Sequence, residues 1–292
     1  MARTPVRMKL GLFIAIVSLA ACGPANRDGN GGGADASRGS NGGSGSNGSG
    51  SGSDTNFNVY AHSDTVLYVV DVQAKTLNTV GPFNAPSNDV ITDLAVAPDN
   101  TIYVISNTAI YTANATDGHV TKLGSLAACG SKGVALTTTP DGKIWEGDFM
   151  GTICQIDVTQ SPPAVLAPTS MTSGMALSGD FVTVSNGTVF GSAYKKSDAA
   201  NAGTNLDNVL VKLDIATGTV TPVGATGYPK LFGVVFAAGQ VFGFTHDGTG
   251  HVVTIDPNTG VGTLFGTFMD PTTHNGISFA GAGVSSLVPI IQ

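Results

Sequence analysis

The stretch LVKLDIATGTVTPVG (210–224) contains the local pattern that decides the fold. Its first segment is rich in β-forming residues and ends at Asp214, which is suited to open a turn. Gly218 can supply the positive φ angle that a tight turn needs, and a second β-rich segment then returns to Gly224. The stretch therefore predicts a β-hairpin.

The same hairpin pattern recurs five times. The segments that align without gaps all end in Asp or Asn, and they are 67–71, 110–114, 153–157, 210–214 and 252–256. Their spacings are 43, 43, 57 and 42 residues, and the long interval contains an insertion at 192–208. A period of about 42 residues is typical of a repeat architecture.

Two further strands are expected before each hairpin. The second strand of each unit carries an aromatic residue at a fixed position: Tyr60, Tyr103, Trp145, Phe190 and Phe242. The first strand is expected at 93–96, 133–136, 174–177, 233–236 and 276–279. Four short strands per period and no helical pattern predict an all-β protein, a β-propeller with one four-stranded blade per repeat.

The two ends of the repeat region complete one blade. The first hairpin has no innermost strand before it, and the segment 276–279 has no full hairpin after it. A ring closed by strands from both ends leaves no exposed sheet edge. We therefore expect a single five-bladed propeller over residues 55–292. A sixth blade is the alternative if GAGVSSLVPIIQ (281–292) adds further strands.

The region before the repeats predicts export. Residues 1–21 join three basic residues to the apolar run LGLFIAIVSLAA (10–21), as in a secretory signal. The run ends in Leu19-Ala-Ala-Cys22, which resembles the bacterial lipobox, and this resemblance implies a lipid on Cys22 that anchors the chain to a membrane. An ordinary signal followed by an incidental Cys is the alternative.

Residues 22–54 are dominated by Gly, Ser and Asn, a composition that predicts a flexible tether. The expected location is the bacterial cell envelope, lipid-anchored and extracytoplasmic. It is either the outer membrane or the outer face of the cytoplasmic membrane.

Charge and motifs narrow the classes of function. Beyond residue 21 the chain keeps 10 of its 13 basic residues and all 20 acidic ones, for a formal charge of −10. Nucleic-acid binding needs basic patches, so we expect no nucleic-acid partner. The repeats contain neither a phosphate-binding GxxxxGK[ST] motif nor a GxSxG nucleophile elbow. We expect no cofactor and no metal.

The two remaining cysteines are Cys129 and Cys154. An even pair in an exported chain predicts a disulfide, which would contribute about 3 kcal/mol for a loop of this length. A two-Cys metal site is the alternative, but no His lies at ligand spacing near either residue.

Polar residues gather on one expected face of the ring, in the loops before the first strands and between the second and third strands. The candidates for binding or catalysis on this face are His62, Asp93, Asp148, His246, Asp247 and His274. His246 and His274 are a candidate acid–base pair with Asp247 as orienter. Solvated loop histidines are the alternative, and Asp93 could instead cap its own turn. Glu146 stands where other blades have small or apolar residues, so we expect it to be semi-buried.

The segments LYVVDVQAKT (67–76), PDGKIW (140–145) and IDPNTG (255–260) resemble propeller units of the gluconolactonase-like, NHL and streptogramin-lyase-like group. The resemblance spans roughly 57–283 and implies the fold, in a group that includes lactonases, lyases and binding modules. Its lactonases hold a metal with Glu, Asn and Asp around the channel, but Glu146 is on a second strand and does not match. We therefore predict a binding module for a glycan, a peptide or an envelope protein. A hydrolase or lyase, or a structural envelope protein, are the alternatives.

Overall fold

The computed structural model describes residues 58–126, 129–130, 132–201 and 207–289. The expected signal segment, Cys22 and the tether lie outside these residues. Among the described residues, no helix has the length and apolar character needed to cross a bilayer.

The described chain is built from strands, with one short 3-10 helix at Lys196–Asn201 in the insertion. In chain order the strands are β1 Val59–His62, β2 Val66–Asp71, β3 Thr76–Pro82, β4 Ile91–Val96, β5 Ile102–Ser106, β6 Ala109–Ala113, β7 Val120–Ser125, β8 Gly133–Thr138, β9 Ile144–Asp148, β10 Thr152–Asp157, β11 Ala164–Ser170, β12 Met175–Thr183, β13 Val189–Lys195, β14 Asp207–Asp214, β15 Thr219–Pro229, β16 Leu231–Ala237, β17 Gln240–Thr245, β18 His251–Ile255, β19 Gly262–Thr267 and β20 Gly281–Gly283.

These strands form five antiparallel four-stranded sheets, which confirms the five-bladed propeller. Blade 1 has the order β20-β1-β2-β3, so the C-terminal strand completes the N-terminal blade, as expected. Blades 2 to 5 are β4–β7, β8–β11, β12–β15 and β16–β19. The innermost strands β4, β8, β12, β16 and β20 contact one another in cyclic order and enclose a central channel.

The repeated hairpin forms the two outer strands of every blade. The five aligned segments correspond to the third strands β2, β6, β10, β14 and β18. The Asp that ends such a strand accepts hydrogen bonds from the turn that follows, as Asp214 Oδ1 does from the N–H groups of Ala216 and Thr217 at 3.0 and 3.1 Å. A carboxylate that pairs with its own turn is a turn former.

One expected strand was wrong. The innermost strand of blade 1 is Gly281–Gly283, and the predicted segment 276–279 contributes only an isolated bridge from Gly276 to Met269. A Cβ atom on Gly281 would overlap Asp93 and His62, and one on Gly283 would overlap Leu94. Because glycine has no side chain, Gly281 and Gly283 can approach blade 2 this closely. Glycine therefore forms this strand although its β-propensity is low.

Apolar side chains fill the spaces between the blades. The largest cluster joins blades 4, 5 and 1, where Phe190 stacks on Phe236 with ring centroids 6.2 Å apart. Phe244 and Phe279 meet edge to face at 5.2 Å in the same cluster. The apolar core therefore lies between the blades, and the ends of the central channel are not part of it.

Candidate functional site

A cavity of about 400 Å³ lies at one mouth of the central channel. All five blades contribute to it, through the starts of the innermost strands and the loops between second and third strands. Its lining residues are Asp64, Val90, Ile91, Thr92, Val134, Phe149, Met150, Ser178, Gly179, Tyr194, Phe232, His246 and Ala280. We call this the mouth cavity. It lies on the face that the sequence predicted to carry the functional residues.

The rim of the mouth cavity is apolar and open. Val90, Phe149 and Met150 are 48%, 37% and 53% exposed, and we call these three residues the cavity rim. Soluble proteins seldom expose a group of large apolar side chains together unless something binds there. Sequence patterns did not reveal the cavity rim, because an apolar residue in a loop gives no periodic signal.

Hydrogen bonds hold the cavity rim in place. Asp148, a predicted site residue, is fully buried, and its Oδ1 accepts the N–H groups of Met150 and Thr152 at 3.0 and 2.6 Å. The Tyr194 hydroxyl donates to the carbonyl of Phe149 at 2.7 Å. Asp148 therefore shapes the loop that presents Phe149 and Met150 to the cavity.

His246 is the one imidazole among the described lining residues. Its ring stacks on Phe232, with centroids 4.7 Å apart and planes 9° apart. Its Nδ1 lies 3.1 Å from the carbonyl oxygen of Phe279, so in the neutral ring Nδ1 carries the proton and donates. The Nε2 lone pair is then left as a hydrogen-bond acceptor.

Asp247 and His274, the predicted partners of His246, do not line the mouth cavity. Asp247 Oδ1 accepts from Thr245 Oγ1 at 2.9 Å and from Thr249 N at 3.0 Å, so it serves its own turn. His274 is exposed in a turn with φ 57° and does not line the mouth cavity. The structure thus brings His246 into the cavity without the partners that the sequence suggested.

One residue below the cavity lining, the five innermost strands form a tight ring. Strand register, counted from the aromatic residues of the second strands, places five positions at this level: Asp93, Ala135, Asp180, Gly233 and Gly281. The first strands expected from the sequence begin at Asp93, Gly133, Gly174, Gly233 and Gly276. This alignment matches Asp93 correctly to Gly233 but not to the other three glycines. It missed Asp180, although Asp180 precedes Phe190 by the same ten residues that separate Asp93 from Tyr103.

Asp93 and Asp180 come from blades 2 and 4, and their two carboxyls interact across the channel. Asp180 Oδ1 has no hydrogen-bond partner among the described residues. Asp93 Oδ2 also accepts Leu136 N of the next blade at 2.6 Å, and Asp180 Oδ2 accepts Val234 N at 3.0 Å. Burial raises the pKa of both carboxyls well above the usual range, and the charge of Asp93 raises the pKa of Asp180 further. Two carboxyls that interact in one buried site titrate as a pair, and we expect one proton to be held between them.

His62 lies beside this pair and is fully buried. Its Nδ1 donates to the carbonyl of Ser63 at 2.8 Å, and its ring meets Phe83 edge to face at 5.5 Å. Burial lowers the pKa of His62 to about 4, with a smaller contribution from His246, so the ring is neutral at pH 7. His62 Nε2 has no hydrogen-bond partner among the described residues. We call His62, Asp93 and Asp180 the channel floor.

The predicted disulfide between Cys129 and Cys154 is confirmed, with the two Cα atoms 5.7 Å apart. Glu146 pairs with Cys154 across the sheet and is 2% exposed, so it is more deeply buried than expected. Its Oε2 has no hydrogen-bond partner among the described residues. Burial, with a smaller effect from Asp148, raises the pKa of Glu146 to about 7.

Within the described ranges, no three His, Cys, Asp or Glu side chains are grouped so that they could hold a metal ion. The channel floor offers two carboxyls that are committed to backbone N–H groups of the innermost strands.

Comparison with known proteins adds likenesses only among solved structures, since no family model and no curated protein matches the chain. A Bacteroides caccae protein of unknown function is 11% identical with a TM-score of 0.43, over 71% of each chain. Virginiamycin B lyase from Staphylococcus aureus is 14% identical with a TM-score of 0.39, over 72% of this chain and 66% of the lyase. A Lactobacillus plantarum protein is 14% identical with a TM-score of 0.39, over 75% and 70%. Values this low leave function to be argued from the site.

Proposed function

We propose that this chain is a lipid-anchored, extracytoplasmic binding module whose mouth cavity takes an apolar part of its ligand. The observation that carries the proposal is the cavity of about 400 Å³ built by all five blades, with an exposed apolar rim. Apolar concave sites of this size, with a few polar groups, are the usual form of a ligand site.

The cavity rim is suited to binding because it is held in shape before a ligand arrives. Asp148 fixes the backbone at Met150, and Tyr194 fixes the backbone at Phe149. A site that is already ordered loses less conformational entropy when a ligand binds. The apolar lining favours a side chain or apolar segment of a peptide or protein over a glycan, which would need more hydrogen-bonding groups.

The distribution of titratable groups favours binding over catalysis. Asp93 and Asp180 are buried beneath the lining and hydrogen-bond the neighbouring innermost strands, which supports a structural role. A hydrolase or lyase would need a base in contact with the substrate. Among the described lining residues, His246 is the histidine that could act as that base. Catalysis is therefore the second candidate, and it depends on His246.

Membrane anchoring is supported by the sequence alone, through the signal-like segment 1–21 and the lipobox-like Leu19-Ala-Ala-Cys22. In a bacterial host that lipidates exported proteins, the full chain should sediment with membranes, and its Cys22→Ser variant should not. Mass spectrometry of the mature N-terminus provides the direct measurement. An unmodified Cys22 on a membrane-free protein would remove the anchor from the proposal.

Binding at the mouth cavity can be tested with an uncharged apolar fluorophore, N-phenyl-1-naphthylamine. The full chain carrying Cys22→Ser avoids acyl chains and detergent that would bind the fluorophore themselves. Fluorescence titration should show saturable binding, weakened at least about 5-fold by Met150→Asp, since truncation of an important contact costs more than 1 kcal/mol.

Met269→Asp is the matched control, because Met269 is 51% exposed against 53% for Met150 but does not line the cavity. Equal loss in both variants, or no saturable binding to the parent chain, would count against binding at this cavity.

A further inference from the structure

The polar atoms around the mouth cavity are mostly acceptors. The hydroxyl proton of Tyr194 is donated to the carbonyl of Phe149 at 2.7 Å, and that of Thr92 to the carbonyl of Ile105 at 3.3 Å. In the neutral ring of His246, the Nδ1 proton is donated to the carbonyl of Phe279 at 3.1 Å. Each of these groups therefore offers the cavity a lone pair rather than a hydrogen. Ser178 is the exception. Its hydroxyl oxygen accepts a hydrogen bond from Asn208 Nδ2 at 2.8 Å, so its hydroxyl hydrogen can be donated to a ligand.

The formal charge in the lining of the mouth cavity is negative. Asp64 is exposed in the loop after β1, and it is the only acidic side chain among the described lining residues, none of which is Lys or Arg. An anionic ligand would meet a carboxylate and several lone pairs in the lining, whereas Lys196 lies beside the rim near Gly151 and outside the lining. A cationic ligand would meet the opposite charge and acceptors that can take its N–H groups.

Aromatic rings add to the same preference. Phe149 is 37% exposed at the rim, whereas one face of Phe232 is covered by the stacked ring of His246. The face of an aromatic ring attracts a nearby ammonium, by about 0.5–1 kcal/mol at exposed sites. Walls of this kind accept an apolar body and a positive charge together.

From these observations we infer that the ligand of the mouth cavity carries an ammonium group on an apolar body, with Asp64 facing the charge. This inference rests on the proposed binding function and specifies its ligand class. A free alkylamine and a lysine or amino-terminal group of a peptide present the same chemistry. The aliphatic stem occupies the apolar walls, and the ammonium donates to the acceptors described above.

The experiment displaces N-phenyl-1-naphthylamine from the full chain (Cys22→Ser) with three probes of equal length: hexylamine, hexanol and hexanoate. We expect hexylamine to compete most strongly and hexanoate least. Asp64→Asn should weaken hexylamine by about 2- to 5-fold, the range for loss of one exposed ion pair of up to about 1 kcal/mol, and leave hexanol unchanged. Asp117→Asn, which removes an exposed carboxylate from another turn, is the control. The lead of hexylamine over hexanol should shrink in 1 M salt.

To separate sources, a short apolar peptide with a terminal lysine is compared with its acetyl-lysine form. Weaker competition by the acetylated peptide supports a peptide ligand, and equal weak competition by both points to a small amine. The inference fails if hexanoate competes as well as hexylamine, or if none of the three probes displaces the fluorophore. In either case saturable binding of the fluorophore still supports the proposed function, whereas its absence would remove both.

Discussion

The mouth cavity and the channel floor are one residue apart along the innermost strands, yet they differ in almost every physical property. The cavity rim exposes apolar side chains to solvent, while the channel floor buries one imidazole and two carboxyls completely. The rim side chains are each more than one third exposed, whereas Asp93 and Asp180 each hydrogen-bond the next innermost strand. Mutations should therefore separate the two levels into one that binds and one that stabilises.

The largest expected effect is on the channel floor, in Asp93→Ala. Asp93 accepts the N–H groups of Leu94 and Leu136 at 2.8 and 2.6 Å, and both would lose their partner inside the protein. At about 1–3 kcal/mol for each unsatisfied buried group, we expect a loss of about 4 kcal/mol in the free energy of unfolding. Urea unfolding measures it. Asp64→Ala at the cavity mouth, by comparison, should change stability by less than about 0.5 kcal/mol; similar losses in both would erase the distinction.

Asp180→Asn tests the shared proton. Burial raises the folded-state pKa of Asp180, so its stabilising effect is complete below the unfolded value near 4 and is lost as pH rises through the folded pKa. Asparagine keeps an acceptor for Val234 and a donor for Asp93, and it cannot lose a proton. The fall in stability between pH 5 and pH 8, measured by urea unfolding, should be smaller in the variant. An unchanged pH profile would show that the pair does not share a proton.

Glu146→Gln tests whether the buried carboxyl on β9 makes stability depend on pH, as we expect for the carboxyls of the channel floor. The pKa of Glu146 rises from 4.5 to about 7, so stability is lost as pH increases through that interval. The loss amounts to at most about 3 kcal/mol, at 1.36 kcal/mol for each unit. The variant should lack this part of the pH dependence in thermal unfolding at pH 4.5 and pH 8. His62 acts in the opposite direction, because its lowered pKa costs stability as pH falls from 6.5 to about 4. This contribution of His62 is present in both the parent chain and the variant, so it cancels when their pH dependences are compared.

The smallest effect on stability is expected at the cavity rim. Met150 is 53% exposed, so Met150→Ala should change the free energy of unfolding by less than about 0.5 kcal/mol. The same variant should nevertheless have a lower affinity for N-phenyl-1-naphthylamine than the parent chain. A clear loss of stability, with binding intact, would place the rim among the structural parts of the molecule.

The repeat pattern was sufficient to predict most of the fold. Turn-forming residues such as Asp214 and the aromatic residues of the second strands act over a few positions, so their meaning survives without knowledge of the whole chain. The innermost strand of blade 1 was misplaced for the opposite reason. Residues 276–279 have the better β-forming composition, but the free edge of β1 is filled by Gly281–Gly283, which alone can lie close to Asp93 and Leu94.

The functional site divides in the same way. The sequence by itself determined the blades, the Cys129–Cys154 pair and the face on which His246 lies, because these follow from local periodicity and residue chemistry. Only the tertiary structure decided that Asp93 meets Asp180 across the channel and that Phe149 and Met150 form a rim. Closing a ring brings together residues far apart in the chain. Burial then shifts the pKa values of these residues. A local sequence pattern shows neither which distant residues come into contact nor how deeply they are buried.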